Sequence, residues 1–378
     1  MDAGIAVAAT AAMSIGAVAR ATGLSPLIAF AAYAVALLAL LVASLRRGAT
    51  RPMMSPRNAR LVIMAAALVL LGYAVAGGAL IAATSYHSDA VVAAHGSARL
   101  LLEGRHPYAD FDLVRELGRF GLPDTYATPL DDGSRVRSLQ YPALAFLVPA
   151  PLIALGLGDL RVLYLAEILA IFALVLLGAP PRWRPAALFC CVANAAILLQ
   201  FVDAGVDPLW ALLVLAAWLL RRRRASAVLL GLALAARQPA WLIAPFLVAW
   251  AWQRFGVREA LARAGIAALV AIAIHLPFVI GAPLAVVRGI TDPALLPLEA
   301  WGIGPAKLAA DGFAPLSPRV AYLAAAAIAY VAALWAFASR RARGALVLPL
   351  FPLWLAWRAL ESYFAFLPLF LLAGERDD

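Results

Sequence analysis

The chain has 378 residues, of which 65% are hydrophobic and only 14% are charged. A soluble globular domain carries about 25% charged residues, so this composition excludes an ordinary soluble protein. The formal net charge is +10, and it comes almost wholly from arginine, since Lys307 is the only lysine. These arginines concentrate in short loops between apolar runs, which indicates a membrane-topology signal and argues against nucleic-acid binding.

Apolar segments, many of them close to 20 residues, recur along the chain, and a helix of about 20 apolar residues crosses a bilayer. We therefore predict an all-α polytopic membrane protein with about 11–13 transmembrane helices. The predicted segments are 3–19, 26–45, 61–84, 141–157, 160–178, 185–200, 205–220, 225–236, 239–253, 263–281, 319–338, 344–357 and 361–373.

The basic loops predict the orientation of these segments in the membrane. Four arginine clusters are assigned to the cytoplasmic side: Arg46, Arg47, Arg51, Arg57 and Arg60; Arg221–Arg224; Arg254, Arg258 and Arg263; Arg340, Arg341 and Arg343. The loops 85–140 and 282–318 are then extracytoplasmic. Three apolar segments separate the first loop from Asp203, where an even number is needed. One of them must be re-entrant, short or fused with its neighbour, and the sequence does not choose between 141–157 and 185–200.

The loop 85–140 is a long polar island between apolar segments, and such loops in compact structures tend to be functional. It holds three of the four histidines: His87, His95 and His106. Its sequence predicts a helix over Asp89–Glu103 that ends at Gly104. A second, short amphipathic helix along the membrane surface is predicted from apolar residues at helical spacing: Phe111, Val114, Leu117 and Phe120.

Asp89 is the candidate catalytic residue, because it opens this loop at the end of an apolar segment. A carboxylate beside an apolar boundary can act as a general base toward a hydroxyl group. The alternative is a solvated N-cap of the helix that follows it.

Further along the loop, Arg105 and His106 could hold a phosphate, and Tyr108 could stack on a sugar. The alternative is an ordinary turn after Gly104. Tyr141 opens the next apolar segment, where an aromatic residue is often only an interfacial anchor.

Asp203 and Asp207 flank a glycine turn and could bind sugar hydroxyls or a cation, although capping of the next helix by Asp207 explains the pattern equally well. Arg237 precedes Gln238 and Pro239 at a membrane boundary. An arginine there is costly and tends to be functional, or else its side chain reaches out to the interface.

Arg358, Glu361 and Tyr363 lie between the last two apolar segments. Arg358 and Glu361 are three residues apart and could simply pair with each other on one helix face. Alternatively, Arg358 binds a phosphate while Tyr363 lines the same site.

In this order, the motifs resemble those of the GT-C superfamily of integral-membrane glycosyltransferases, most nearly the polyprenyl-phosphate-mannose-dependent mannosyltransferases of actinobacterial type. The matching residues are Asp89; Gly104, Pro107 and Tyr108; Tyr141 and Pro142; Gly205 and Asp207; Gly231 to Arg237 and Pro239; Arg358 and Tyr363. The resemblance covers about residues 61–375 and leaves out an N-terminal hairpin and basic loop, 1–60. The chain has His106 where the family often has Asn, Ala204 and Val206 around Gly205 where it often has Gln, and Arg237 where it often has Lys. These departures bear on the identity of the donor sugar.

The resemblance implies an inverting transfer from a polyprenyl-phosphate sugar, with mannose favoured, to a glycolipid, polysaccharide or protein of the cell envelope. Asp89 would deprotonate the acceptor hydroxyl, and Arg237 and Arg358 would stabilise the leaving phosphate, assisted by Arg105 or His106. The remaining predicted substrate-binding residues are His87, Tyr108, Tyr141, Asp203, Asp207, Gln238, Glu361 and Tyr363. No cofactor is expected; some relatives use a divalent cation, but this sequence shows no ligand set for one. The implied location is the plasma membrane, with the site facing outward and no nucleic-acid partner.

Two other functions stay open. A transporter or lipid flippase predicts charges at mid-span and internal repeats, whereas Glu167 is nearly alone in such a position and no repeat is clear. A non-catalytic scaffold subunit of an envelope complex predicts that Asp89 can be replaced without loss of function.

Overall fold

The computed structural model describes residues 2–45, 56–202, 205, 207–340 and 344–373. These residues are almost entirely helical, with only two strands of two residues each, which confirms the predicted all-α class. Six of the described helices are long and apolar enough to cross a membrane: Ala3–Ala21, Pro26–Leu45, Ala66–Ala83, Arg161–Gly178, Val257–Gly281 and Arg319–Ser339. Four shorter apolar helical stretches, two of them made of two consecutive short helices, accompany them: Leu144–Ala154, Pro208–Leu219, Ala225–Ala236 and Glu361–Ala373. Eight positions used above lie outside the described residues: Arg46, Arg47, Arg51, Asp203, Ala204, Val206, Arg341 and Arg343.

The helices follow one another with short connections. The first half of the chain contains α1 (Asp2–Ala21), α2 (Pro26–Leu45), α3 (Pro56–Ala83), α4 (Asp89–Leu102), α5 (Leu113–Arg119), α6 (Leu144–Leu147), α7 (Pro149–Ala154), α8 (Arg161–Gly178), α9 (Arg184–Val192) and α10 (Ala195–Val202). The second half contains α11 (Pro208–Leu219), α12 (Ala225–Ala236), α13 (Pro239–Phe255), α14 (Val257–Gly281), α15 (Pro283–Leu295), α16 (Pro305–Ala310), α17 (Arg319–Arg340) and α18 (Leu367–Ala373). Strands β1 (Trp301–Gly302) and β2 (Arg358–Ala359) pair in parallel, and short 3₁₀ helices form at Asp124–Tyr126, Pro181–Trp183, Phe351–Leu355 and Glu361–Tyr363.

The N-terminal hairpin shares its hydrophobic core with the rest of the protein. Met13 of α1 and Tyr33 of α2 are fully buried and belong to the same cluster as Phe172 of α8 and Trp210 of α11. The α1 helix also contacts α9, α10 and α18. Residues 1–60, which lie outside the family resemblance, therefore include helices that are built into the fold.

The predicted spans 141–157 and 185–200 are both interrupted in the structure. The predicted span 141–157 is instead two helices of four and six residues, α6 and α7, and α7 packs against α4 of the polar loop. Proline at the start of α7 fits this break, because Pro149 lacks the N–H that a continuous helix would need. The segment 185–200 is also broken, into α9 and α10, with Asn194 at the break donating from Nδ2 to the carbonyl of Ala365 at 2.8 Å.

The end of α3 and the start of α8 lie on the same side of the molecule. Arg161, at the start of α8, donates to the hydroxyl and carbonyl of Thr84, just after α3, at 2.5 Å and 2.7 Å. The start of α8 therefore lies beside the end of α3, at the edge of the polar loop.

The predicted span 344–357 is not an α-helix, so that prediction was wrong. Residues 345–350 form turns, and Phe351–Leu355 forms a 3₁₀ helix. This stretch nevertheless runs alongside α2, because Gly344 packs against Ser44 and Trp354 stacks on Phe30 with ring centroids 5.3 Å apart. Residues 344–350 are all buried. Irregular backbone is tolerated at membrane depth only where protein covers it, and here it is covered.

The outer faces of α3, α14 and α17 are apolar and exposed. Leu68, Ile272 and Ile328 are 60–72% exposed, and they are typical of the large apolar side chains along these helices. An apolar surface of this extent is stable against lipid and not against water, so these helices contact the bilayer.

Candidate functional site

A cavity of about 1020 Å³ lies where the polar loop meets the starts of α11, α13 and α17 and the end of α12. Nine of the residues predicted from sequence line it: His87, Asp89, Tyr141, Asp207, Arg237, Gln238, Arg358, Glu361 and Tyr363. These residues come from five separate stretches of chain, so the fold gathers into one space what the sequence spreads over more than two thirds of its length.

Asp89 is directed to this cavity and does not cap its helix. Ser88 is the N-cap of α4, with its hydroxyl accepting from the N–H of Ala90 at 3.0 Å. The Asp89 carboxylate, one residue later, accepts a hydrogen bond from the Thr128 hydroxyl at 2.8 Å. The capping alternative for Asp89 is therefore removed, and its carboxylate is held by a partner that leaves it facing the cavity.

The surroundings of Asp89 increase the affinity of its carboxylate for a proton. Desolvation by the surrounding protein raises the pKa of its carboxyl above the ordinary value. The Thr128 hydrogen bond and the guanidinium groups of Arg358 and Arg237 oppose this shift without cancelling it. A carboxylate with a raised pKa binds a proton more readily than a solvated one, which suits a general base.

Arg237 and Asp207 form a buried ion pair at the cavity wall. The distance from Arg237 Nε to Asp207 Oδ1 is 3.2 Å, and the two side chains are 8% and 2% exposed. Asp207 also accepts from Trp210 Nε1 at 2.7 Å, and the Arg237 guanidinium lies 4.2 Å from the ring centroid of Tyr141. Asp207 makes no side-chain capping bond to α11 and Arg237 does not reach out to the interface, so both alternative explanations fail.

Three cavity arginines keep buried donor atoms without a hydrogen-bond partner among the described residues. These atoms are Nη1 of Arg237, Nε of Arg319 and Nε of Arg358. Leaving a buried donor unsatisfied is costly, so such groups normally have a partner. Several guanidinium donors in one cavity can bind the oxygens of an anion such as a phosphate.

Glu361 pairs with a residue that the sequence did not single out. Its Oε1 lies 2.9 Å from Nε of Arg20, which comes from the last turn of α1. The alternative that Glu361 serves only to pair with Arg358 is therefore not needed. Gln238 is also anchored, because its Nε2 donates to the carbonyl of Gln140 at 3.0 Å.

Three predicted residues lie away from the cavity, namely Arg105, His106 and Tyr108. Gly104 has φ +70°, and the chain turns there at the end of α4. His106 then contacts the carbonyl of Phe278 through Nε2 at 3.0 Å, and Arg105 lies within 3.8 Å of two acidic side chains. Tyr108 donates to the carbonyl of Tyr141 at 2.9 Å, which supports a cavity residue from behind. The ordinary-turn alternative describes this cluster better than direct ligand binding.

Sequence reasoning missed Arg20, Thr128, Trp301 and Arg319, all of which line the cavity. The position of Arg20 at the outer end of the first apolar segment was a usable signal. Thr128 lies in an irregular loop and Trp301 in a strand of two residues, and the sequence shows no pattern around either of them. No group of three or more histidine, cysteine or acidic side chains that could hold a metal ion is found within the described residues.

Part of the cavity wall is apolar and open. Trp241, Leu295 and Leu323, from α13, α15 and α17, line the cavity and are 39%, 75% and 43% exposed. The charged groups thus lie beside an apolar surface that continues to the outside of the helices. Comparisons with protein-family models, with curated proteins and with solved structures find no match for this chain.

Proposed function

We propose that the protein transfers a sugar from a polyprenyl phosphate to a hydroxyl group of a cell-envelope acceptor. The observation that carries this proposal is the single cavity that holds the Asp89 carboxylate together with the guanidinium groups of Arg237, Arg319 and Arg358. A base for the acceptor and cations for a leaving phosphate are the two kinds of group that this chemistry needs.

In the proposed reaction, the acceptor oxygen forms a bond to the anomeric carbon as the bond from that carbon to the phosphate oxygen breaks. The acceptor proton passes to the Asp89 carboxylate, and the bonding electrons leave with the polyprenyl phosphate. Attack from the face opposite the leaving group inverts the anomeric centre. The phosphate gains negative charge as it departs, and Arg237 and Arg358 lie in the cavity to stabilise it.

The charge of the cavity supports a phosphate monoester or diester as the ligand. Four arginines and three carboxylates line it, which leaves one positive charge in excess when all are ionised: Arg20, Arg237, Arg319 and Arg358 against Asp89, Asp207 and Glu361. A sugar phosphodiester carries one negative charge and would neutralise this excess. A lipid-linked donor is further supported by the apolar wall at Trp241 and Leu323, where a hydrocarbon chain can lie beside the charged groups.

The proposed site faces outward from the cell. The Arg221–Arg224 cluster follows the far end of α11 from the cavity residue Asp207, and short basic loops are retained on the cytoplasmic side. Sugars delivered on polyprenyl phosphate do not require a nucleotide in the site, which agrees with the lack of a P-loop or a glycine-rich dinucleotide motif in the sequence.

The decisive experiment is sugar transfer from radiolabelled polyprenyl-phosphate mannose in membranes, with Asp89→Asn compared with the wild type. The variant keeps the shape and the Thr128 hydrogen bond but loses the base, and we expect transfer to fall by about 10²–10⁴-fold. Asp132→Asn is the matched control, because Asp132 belongs to the same loop, is exposed and does not line the cavity. Equal transfer by wild type and Asp89→Asn would reject Asp89 as the base.

One observation favours transport as a second candidate. Glu167 is buried in α8, and its Oε2 atom has no hydrogen-bond partner in the described part of the chain. Ionisable residues inside membrane helices often belong to proton or ion pathways. A proton-coupled transporter predicts that Glu167→Gln abolishes uptake into proteoliposomes, whereas the proposed transferase predicts that this variant retains sugar transfer.

A further inference from the structure

The N-terminal hairpin reaches the cavity through one residue, Arg20. Its Nη1 donates to the carbonyl of Gly302 at 2.6 Å, and its Nε lies 2.9 Å from Glu361 Oε1. The same guanidinium lies 5.4 Å from the ring centroid of Trp301. Arg20 therefore contacts both β1 and the turn directly after β2, which are about 60 residues apart in the chain.

The short strand pair beside these contacts carries the cavity residues Trp301 and Arg358. Trp301 pairs with Arg358 and Gly302 pairs with Ala359 in the β1–β2 ladder, and the N–H of Ile303 donates to the carbonyl of Ala359 at 2.9 Å. The strands approach so closely at Gly302, where φ is +105°, that a side chain there would collide with the Ala359 backbone. The ladder is only two residues long, so it has few bonds of its own to hold it.

Arg358 is the first residue of β2 in this ladder. Its Nε has no hydrogen-bond partner among the described residues, although it is buried. Its guanidinium lines the same cavity as the Asp89 carboxylate, and it opposes the burial that raises the pKa of that carboxyl. Because the side chain extends from β2, a displacement of β2 would also displace the guanidinium.

We propose that Arg20 is a positioning residue: it clamps β1 to the turn directly after β2 and so holds Arg358 in the cavity with Asp89. The role assigned to Arg358 rests on the proposed function, whereas the clamp itself does not. The N-terminal hairpin is then part of the active site, since without α1 the cation that bridges β1 and the turn after β2 would be lost.

The clamp is tested by amide hydrogen exchange on the full-length protein in lipid nanodiscs. Arg20→Ala should speed exchange at Ile303 and in the segment 358–361, and Arg20→Lys, which keeps the charge but not both contacts, should give a smaller effect. Arg184→Ala is the matched control, because Arg184 also donates to a carbonyl, that of Leu176 at 3.1 Å, but far from the strands. Unchanged exchange in Arg20→Ala, or the same change in Arg184→Ala, would overturn the clamp.

The link to Arg358 is tested by a double-mutant cycle on kcat/KM for sugar transfer. We expect Arg20→Ala to lower kcat/KM on the order of 10–100-fold, because small displacements of a catalytic group cost that much. In an Arg358→Ala background the same change should lower kcat/KM little further. If the two residues acted independently, the fold losses in kcat/KM would multiply. Multiplicative losses would refute the positioning role. A wild type without transfer, but with the expected exchange difference, would refute the proposed function and leave the clamp standing.

Discussion

Removing the charge of Asp207 should leave the buried Arg237 cation without its counter-ion. In Asp207→Asn, the new side chain still offers an oxygen to Trp210 but no longer neutralises Arg237. At the observed 3.2 Å separation, and with an effective dielectric constant of about 20, the lost attraction is about 5 kcal/mol. Breaking a buried ion pair on one side typically costs about 3–5 kcal/mol, and the neighbouring cavity lets water reach the cation, so we expect the lower part of this range.

The loss can be measured as a free energy of unfolding in detergent mixed with increasing amounts of SDS. Cys190 and Cys191 are buried in the core, and a thiol-reactive fluorescent dye labels them only when the helices separate. The double variant Asp207→Asn/Arg237→Gln also removes the unpaired positive charge and should recover most of the stability. An Asp207→Asn protein as stable as the wild type, or a double variant no better than the single one, would refute the view that this pair is a buried, mutually dependent unit.

Two further predictions concern the base and the helix packing. Thr128→Val removes the hydrogen bond that lowers the pKa of Asp89, so that pKa should rise further. Because the base works only when it is ionised, the acid limb of the kcat/KM profile for sugar transfer should move to higher pH; an unmoved limb would contradict the assignment of Asp89. Gly231→Ala would place a Cβ 2.6 Å from the carbonyl oxygen of Ala267, where α12 meets α14, and should destabilise the protein by about 1–3 kcal/mol in the dye assay. Gly265→Ala, with open space around its new Cβ, is the control and should lose no stability; an equal loss in both variants would mean that helix packing is not the cause.

Local patterns in the sequence predicted most of the helices. The polar-loop helix was predicted over Asp89–Glu103, ended by Gly104, and forms over Asp89–Leu102. A short helix was expected among the apolar residues from Phe111 to Phe120, and α5 forms over Leu113–Arg119. These elements depend on capping residues and side-chain periodicity within a few turns, and both are readable in one dimension.

The broken segments were harder to predict, because hydropathy measures how apolar a segment is and not whether its backbone is continuous. The stretches 141–157 and 344–357 are as apolar as a spanning helix, yet the first forms two short helices and the second forms turns and a 3₁₀ helix. The surrounding protein buries the irregular backbone of 344–350, and this burial cannot be predicted from the local sequence.

The sequence by itself determined that the chain is helical, that it crosses a membrane several times and that Asp89, Asp207, Arg237 and Arg358 are candidate site residues. Only the tertiary structure decided that these four share one cavity and that Arg20 and Arg319 join them. It also removed the capping alternatives for Asp89 and Asp207. The reason is physical: apolar periodicity and basic loops act through contacts with lipid and with near neighbours in the chain. The distance between two charges is set by helices far apart in sequence that pack against each other.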